Sequence, residues 1–263
     1  MRLVTWNINS IRARLPLVQQ FVDAYQPDII ALQETKVQDP QFPQKALEDM
    51  GFNHFAIKGQ KSHHGVAILS KIPLADVQTI DWCKKGDARH VAARLGNSDV
   101  VLHNFYVPAG GDEPDEVIND KFAHKMQFLK EMTDWSSKID APSIMVGDLN
   151  IAPLEHDVWD TKKLKKVVSH TPVEREGMAA LQAAHGWHDV MRAFVPGDEK
   201  LYSWWSYRAK DWRAANKGRR LDHVWTSPEL KNTAHSMQVV LDARGWEKPS
   251  DHAPVIVDFD LPV

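Results

Sequence analysis

The sequence predicts an α/β protein in which two β-sheets pack together and helices cover their outer faces. Short apolar runs recur along the whole chain, stretches with helical spacing interrupt them, and a hairpin signal makes part of the sheet antiparallel. The strand-like runs are residues 3–6, 28–32, 65–69, 90–95, 100–107, 143–146, 221–226 and 254–259, many of them bounded by Gly, Pro, Asn or Asp. Gly96, Asn97 and Ser98 separate two alternating runs and predict the hairpin, which excludes a purely parallel sheet. Between the strands, Ile118, Phe122, Met126, Leu129 and Met132 fall at helical spacing. Thr171, Pro172 and Glu174 supply an N-cap, a first-turn proline and a capping-box acid, so a helix starts after Thr171.

Composition narrows the class. The 263 residues are 43% hydrophobic and 25% charged, enough to bury a sizeable core, and no linker, repeat or low-complexity tract divides them. One domain over residues 1–263 is expected. The opening run MRLVTWNINS already alternates like a buried strand and is too short for a secretory leader. Apolar stretches of membrane-spanning length are absent, and the single Cys83 leaves no thiolate cluster or intrachain disulfide. A cytoplasmic monomer with no membrane and no required protein partner is therefore expected, and any metal must bind oxygen or nitrogen. The net charge of −3 argues against coating nucleic acid by bulk charge. Locally, however, Arg208, Lys210, Arg213, Lys217, Arg219 and Arg220 face only Asp211.

Polar residues gather where apolar runs end, as a rigid scaffold presenting chemistry requires. Asn7 and Asn9, Glu34, Asp148 and Asn150, Asp222, and Asp251 with His252 all sit there. Singly, Asn and Asp at such places are ordinary turn formers. Together, Glu34, Asp148, Asn150 and Asp251 suit a hard cation such as Mg²⁺, which takes oxygen ligands. His252 beside a carboxylate, with Asp222 available to orient its ring, can hold or deprotonate a water near neutral pH.

The segments WNINSIRAR, PDIIALQETK, NFYVPAGG, MVGDLNIAP, RRLDHVWTS and EKPSDHAPV resemble the motifs of the exonuclease III and AP endonuclease family, within the endonuclease/exonuclease/phosphatase superfamily. They run in family order across nearly the whole chain. The resemblance implies a four-layer α/β sandwich of the DNase I kind, with two mixed sheets flanked by helices. It also implies Mg²⁺-assisted (or Mn²⁺-assisted) hydrolysis of the DNA backbone 5′ to abasic sites, removal of 3′ blocking groups, and 3′→5′ exonuclease action on duplex DNA. By the same resemblance Glu34 is the principal metal carboxylate, with Asn7, Asp148, Asn150, Asp251 and His252 completing the metal and phosphate site. Asp222 orients His252, Asp148 shuttles a proton as base or acid, and Tyr106 donates to phosphate or acts as phenolate. Asn9 stands where some relatives carry Asp, and Ala109, Gly110 and Gly111 leave no side chain after Tyr106 long enough to grip phosphate.

An enzyme of this kind needs cationic rails and a small apolar pocket for an extruded, baseless sugar. The stretch 201–208 resembles the family's aromatic segment. Trp204, Trp205 and Leu221 are expected to line the pocket, and Tyr207, Arg208, Lys210, Trp212 and Arg213 to lie on the DNA-gripping loop. Arg219 replaces a large apolar residue of some relatives. Lys162, Lys163, Lys165 and Lys166 form a second candidate run for phosphate, but a solvated charged helix face or loop is the favoured reading there. His63 and His64 are expected to form a polar turn, and His103 to approach phosphate beside Tyr106. The competing readings are action confined to 3′ ends, a same-fold phosphoesterase for a substrate other than DNA, and an inactive DNA-binding scaffold.

Overall fold

The computed structural model describes residues 1–262. In chain order its strands are β1 Arg2–Asn7, β2 Ile29–Gln33, β3 His54–Lys58, β4 Val66–Ser70, β5 Leu74–Gln78, β6 His90–Leu95, β7 Val101–Tyr106, β8 Ser143–Asp148, β9 His188–Asp189, β10 Trp204–Trp205, β11 Gly218–Arg219, β12 Asp222–Thr226, β13 Ala234–Val239 and β14 Val255–Phe259. The helices are α1 Ile11–Tyr25, α2 Gln44–Asp49, α3 Asp120–Ser136, α4 Thr161–Leu164, α5 Pro172–His185, α6 Val190–Phe194 and α7 Trp212–Ala215.

Two six-stranded sheets form, in the orders β13-β14-β1-β2-β4-β3 and β5-β6-β7-β8-β12-β9, with β10 and β11 as a separate two-stranded ribbon. Each six-stranded sheet is mixed, since β1 runs parallel to β2 and β7 parallel to β8 while their other neighbours are antiparallel. Side-chain alternation then sorts residues into layers. Leu3, Ile29, Ala31, Val66 and Ile68 of the first sheet meet Val91, Ala93, Leu102, Ile144, Val146 and Val224 of the second in one buried core. The opposite faces are covered by helices: Val4, Trp6, Ile30 and Leu32 pack under Ile11, Val18, Phe21 and Leu47 of α1 and α2. Phe105, Met145 and Trp225 pack under Phe128, Met132, Met178 and Leu181 of α3 and α5. The order is helix, sheet, sheet, helix.

The capping box expected at Thr171 is present, with the Thr171 hydroxyl accepting from the Glu174 backbone N–H and Gly186 closing the helix at φ 74°. The 96–98 hairpin joins β6 to β7, whose register sets Arg94 against Val101. Helix α3 begins two residues after Ile118, which is 72% exposed, so Ile118 is not on its buried face. Among the described residues no helix is long and apolar enough to cross a membrane.

Candidate active site

Strand parity delivers the polar residues. Asn7 ends β1, Tyr106 ends β7, Asp148 ends β8 and Asp222 begins β12, and each falls on the face of its strand that looks into the space between the sheets. Register aligns them: Tyr106 pairs with Asp148, and Asp148 with Asp222. Gly147 makes this approach possible. At its φ of 138° a Cβ would lie 2.0 Å from the Phe105 carbonyl oxygen, so any side chain would push β8 away from β7. Beneath the site lies a polar layer that sequence reasoning missed: buried Gln33 donates to Thr5 Oγ1 at 3.0 Å and to Asn104 Oδ1 at 2.7 Å. Asn104 in turn donates to the backbone oxygens of Leu32 and Ala67. Gln33 and Asn104 could have been found as polar residues at inward positions of otherwise apolar strands.

Asn7 is the hinge of the cluster, its Nδ2 donating to Glu34 Oε1 at 2.9 Å and to Asp148 Oδ2 at 2.8 Å. On one side, Glu34 also accepts from the Tyr106 hydroxyl at 2.8 Å and pairs with Lys36 at 2.8 Å. Burial works against its charge, yet the bonds from Asn7, Lys36 and Tyr106 hold its carboxyl below the ordinary range. The Tyr106 phenol moves the other way: burial, then the negative charges of Glu34 and Asp148, push it well above its ordinary value. It is a donor here, not a phenolate. On the other side, His252 Nδ1 donates to Asp222 Oδ2 at 2.8 Å while Nε2 lies 3.6 Å from Asp148 Oδ2. Burial pushes the Asp148 carboxyl up to about 7, with Asp222 and Glu34 adding to the shift against the pull of His252 and Asn7. Burial alone would depress His252, but Asp222 and Asp148 outweigh it and raise the imidazole to about 10. Asn150 closes the group, donating to Asp148 Oδ2 at 3.2 Å and to the Val107 oxygen at 2.9 Å.

Asn9, Ser10, Glu34, Lys36, His64 and Asn150 all have positive φ, so left-handed backbone at non-glycine residues concentrates around this cluster. His64 and Arg89 flank Tyr106, the ring centroid of His64 at 6.0 Å and the guanidinium at 5.0 Å. The 63–64 pair is therefore not merely a polar turn, because His64 belongs to the site wall. Its imidazole is lowered to about 4, by burial and then by Arg89. His103, by contrast, faces the helix layer, stacked on His90 and edge-on to Trp135, and does not approach the site.

Donor chemistry fits a hard divalent cation. One ligand atom each of Asp148, Asp222 and His252 lies within 4.8 Å of the others, Asp222 Oδ1 is buried without a partner, and the carboxylates of Glu34 and Asp148 are bridged by the Asn7 Nδ2, so the charged groups gathered here are oxygen ligands of the kind a hard cation takes. Asp251 stands slightly apart, accepting from Asn9 Nδ2 at 3.3 Å and from Trp204 Nε1 at 2.9 Å.

Trp204 carries the site into the flanking ribbon. With Leu221 it belongs to a small apolar cluster that also contains Ala152, Val158 and Leu164. Trp205 does not share that wall. It follows Trp204 on the same strand, points the other way, and is 3% exposed among Tyr202, Trp212 and Ala253. Trp205 thus supports the ribbon from behind, contrary to the expectation that both tryptophans line one pocket. Tyr207 is half exposed and bridges loops, donating to the Pro249 oxygen at 2.7 Å and accepting from Arg14 at 3.2 Å. Arg208, Lys210 and Arg213 are exposed, as are Lys162, Lys163, Lys165 and Lys166, while Trp212 is part-buried under the guanidinium groups of Arg213 and Arg244.

The layered α/β fold and the oxygen-rich cluster at its edge define the class: a hydrolase that works on phosphate esters. Residues 4–252 match the Endonuclease/Exonuclease/phosphatase family, and the chain belongs to that family. It is 33% identical to exodeoxyribonuclease III of Haemophilus influenzae over 98% of this chain and 100% of that one. The structure of a 3′ phosphatase from Neisseria bound to a product DNA hairpin is similar at a TM-score of 0.90 and 32% identity, covering 99% of this chain and 100% of that one. An AP endonuclease from Archaeoglobus fulgidus is similar at 0.91 and 30%, with the same coverage.

Proposed function

We propose that residues 1–263 act as one DNA-repair phosphodiesterase that hydrolyses duplex DNA 5′ to abasic sites and removes 3′ blocking groups, with 3′→5′ exonuclease action. The observation that carries this is the convergence of Asn7, Tyr106, Asp148, Asp222 and His252 beside an apolar wall made by Trp204 and Leu221. Such a wall accepts a sugar without its base and leaves a base-bearing nucleotide poorly accommodated.

In this reading water adds its oxygen to phosphorus, the bond from phosphorus to O3′ breaks, and O3′ leaves with a proton as a 3′-hydroxyl. Asp148, with a carboxyl near 7, can take a proton from water or give one to the leaving oxygen at neutral pH. His252 is held as a cation by Asp222 and serves as a fixed donor beside the phosphate, not as the base. Tyr106 and Asn7 orient Glu34, and Asn150 donates at the edge of Asp148. Glu34, with Asn7, Asp148, Asn150 and Asp251 around it, would hold Mg²⁺ or Mn²⁺, which when bound supplies Lewis-acid stabilisation of charge on the phosphate oxygens, while the protonated His252 would stand beside the ion without ligating it.

The test is incision of a duplex carrying one abasic-site analogue, beside an undamaged duplex, a 3′-phosphate end and a soluble inositol phosphate. We expect incision 5′ to the lesion, dependent on Mg²⁺ and abolished by EDTA. Hydrolysis of the inositol phosphate alone would refute the DNA reading. One observation favours the narrower alternative of action at 3′ ends: a guanidinium, Arg219, packs over the Trp204 ring that forms the apolar wall.

A further inference from the structure

In the antiparallel ribbon, Arg219 pairs directly with Trp204, so the two side chains share a face and the guanidinium lies 5.3 Å from the indole centroid. Its Nη1 is fixed, donating to the Val168 oxygen at 3.1 Å and to Ser169 Oγ at 2.7 Å. Those acceptors are themselves held. The Ser169 backbone N–H donates to both oxygens of Glu174, and Glu174 forms a fully buried ion pair with Lys125 at 2.5 Å. The other edge of the guanidinium is unused. Arg219 Nε is buried without a partner, and among the described residues Nη2 donates to no protein group and no carboxylate pairs with this cation. An immobilised guanidinium whose Nε is buried without a partner and whose Nη2 bonds no protein group has unmet donor capacity, which an anion set against Nη2 would satisfy.

The scissile phosphate carries O3′ on one side and, on the other, whatever substituent the damage left. In the function proposed above, that substituent is the part set against the wall made by Trp204 and Leu221. We infer, building on the function proposed above, that Arg219 is a specificity residue that recognises a carboxylate at the far end of a 3′ blocking group, as in an oxidised-sugar remnant of the phosphoglycolate kind. The bond broken is unchanged: water adds to phosphorus, O3′ leaves, and the carboxylate departs intact on the released phosphate ester. A neutral abasic sugar offers Arg219 only hydroxyls and an ether oxygen, so the site favours the acid-ended block.

Two duplexes test this in Mg²⁺, one nicked with a 3′-phosphoglycolate end and one with an internal tetrahydrofuran abasic analogue. The wild type, R219L and R219K are each assayed on both. We expect the ratio of kcat/KM, glycolate over tetrahydrofuran, to fall at least tenfold in R219L and less in R219K, with the change mainly in KM because Arg219 is remote from the breaking bond. Measuring a ratio within one preparation removes differences in folded fraction. Active enzymes whose ratio is the same in wild type and R219L would overturn this inference alone. A wild type inactive on both duplexes would overturn the phosphodiesterase reading and this inference with it.

Discussion

Asp148 and His252 sit 3.6 Å apart and both proton affinities are raised: the acid is made weak and the base is made strong. Burial raises Asp148, whereas the carboxylates of Asp222 and Asp148 raise His252 against its burial, and the result is one group able to exchange a proton near pH 7 beside one that keeps its own. Asp148→Asn retains the shape and the bond from Asn7 but cannot carry a proton. We expect turnover on abasic DNA to drop by about 10²–10⁴-fold, while binding of the same duplex, measured by fluorescence anisotropy, changes less than threefold. Loss of binding equal to loss of turnover would mean that Asp148 serves only to build the site. The residues of this cluster were legible because they are polar groups ending apolar runs. Lys36, His64 and Arg89 were not, because what they touch depends on which strands become neighbours. The misplacement of Trp205 was avoidable: two adjacent strand residues face opposite ways, the argument already applied to His63 and His64.

At the level of elements, α3 and α5 are joined by a charge pair as well as by apolar packing. Lys125 and Glu174 are both fully buried, and the Lys125 ammonium also donates to the Asn150 oxygen at 2.8 Å, which ties the helix layer to the loop after β8. Removing one partner leaves the other charged and unpaired in the interior, so Lys125→Met should destabilise the fold by about 3–5 kcal/mol. Urea denaturation of Lys125→Met against the double variant Lys125→Met/Glu174→Leu decides it: the double variant should recover part of the loss. A second element-scale consequence concerns β6 and β7, where His90 Nε2 and His103 Nδ1 lie 3.2 Å apart under Trp82 and Trp135. Burial lowers both imidazoles, His103 to about 3, so the native state keeps them neutral while the unfolded chain protonates near 6.5. Protons therefore favour the unfolded state. Stability is whole above pH 6.5 and declines as pH falls toward 3, with His103 alone costing about 2 kcal/mol at pH 5. Denaturation midpoints at pH 7 and pH 5 should show this, and His103→Phe should flatten the decline. The strands legible in the sequence were those with continuous buried runs. Strands β5 and β13 were missed because they are sheet edges without a fully buried residue, and α1 because Pro16 and a kink at Arg14 interrupt its spacing.

On the scale of the molecule, the two sheets present their functional residues at one end of the sandwich, and the ribbon Trp204–Arg219 and its loop stand beside that end. Layer order followed from alternation, but which strands become neighbours could not be read from periodicity, since pairing β14 with β1 joins opposite ends of the chain. The net charge of −3 means that attraction to DNA must come from a local cationic surface, and Arg208 and Lys210 are exposed and form no ion pair among the described residues. Each phosphate neutralised releases counterions, so each contact contributes about 0.9 to the slope of log affinity against log salt. If both residues touch phosphate, Arg208→Ala/Lys210→Ala should reduce that slope by about 1.8 and weaken binding to damaged and undamaged duplex alike. Titrations between about 50 and 200 mM salt give the slope directly. An unchanged slope would move the DNA track to the other side of the pocket, where Lys162, Lys163, Lys165 and Lys166 are the exposed cations, and the same measurement on their alanine variants would then have to show the loss.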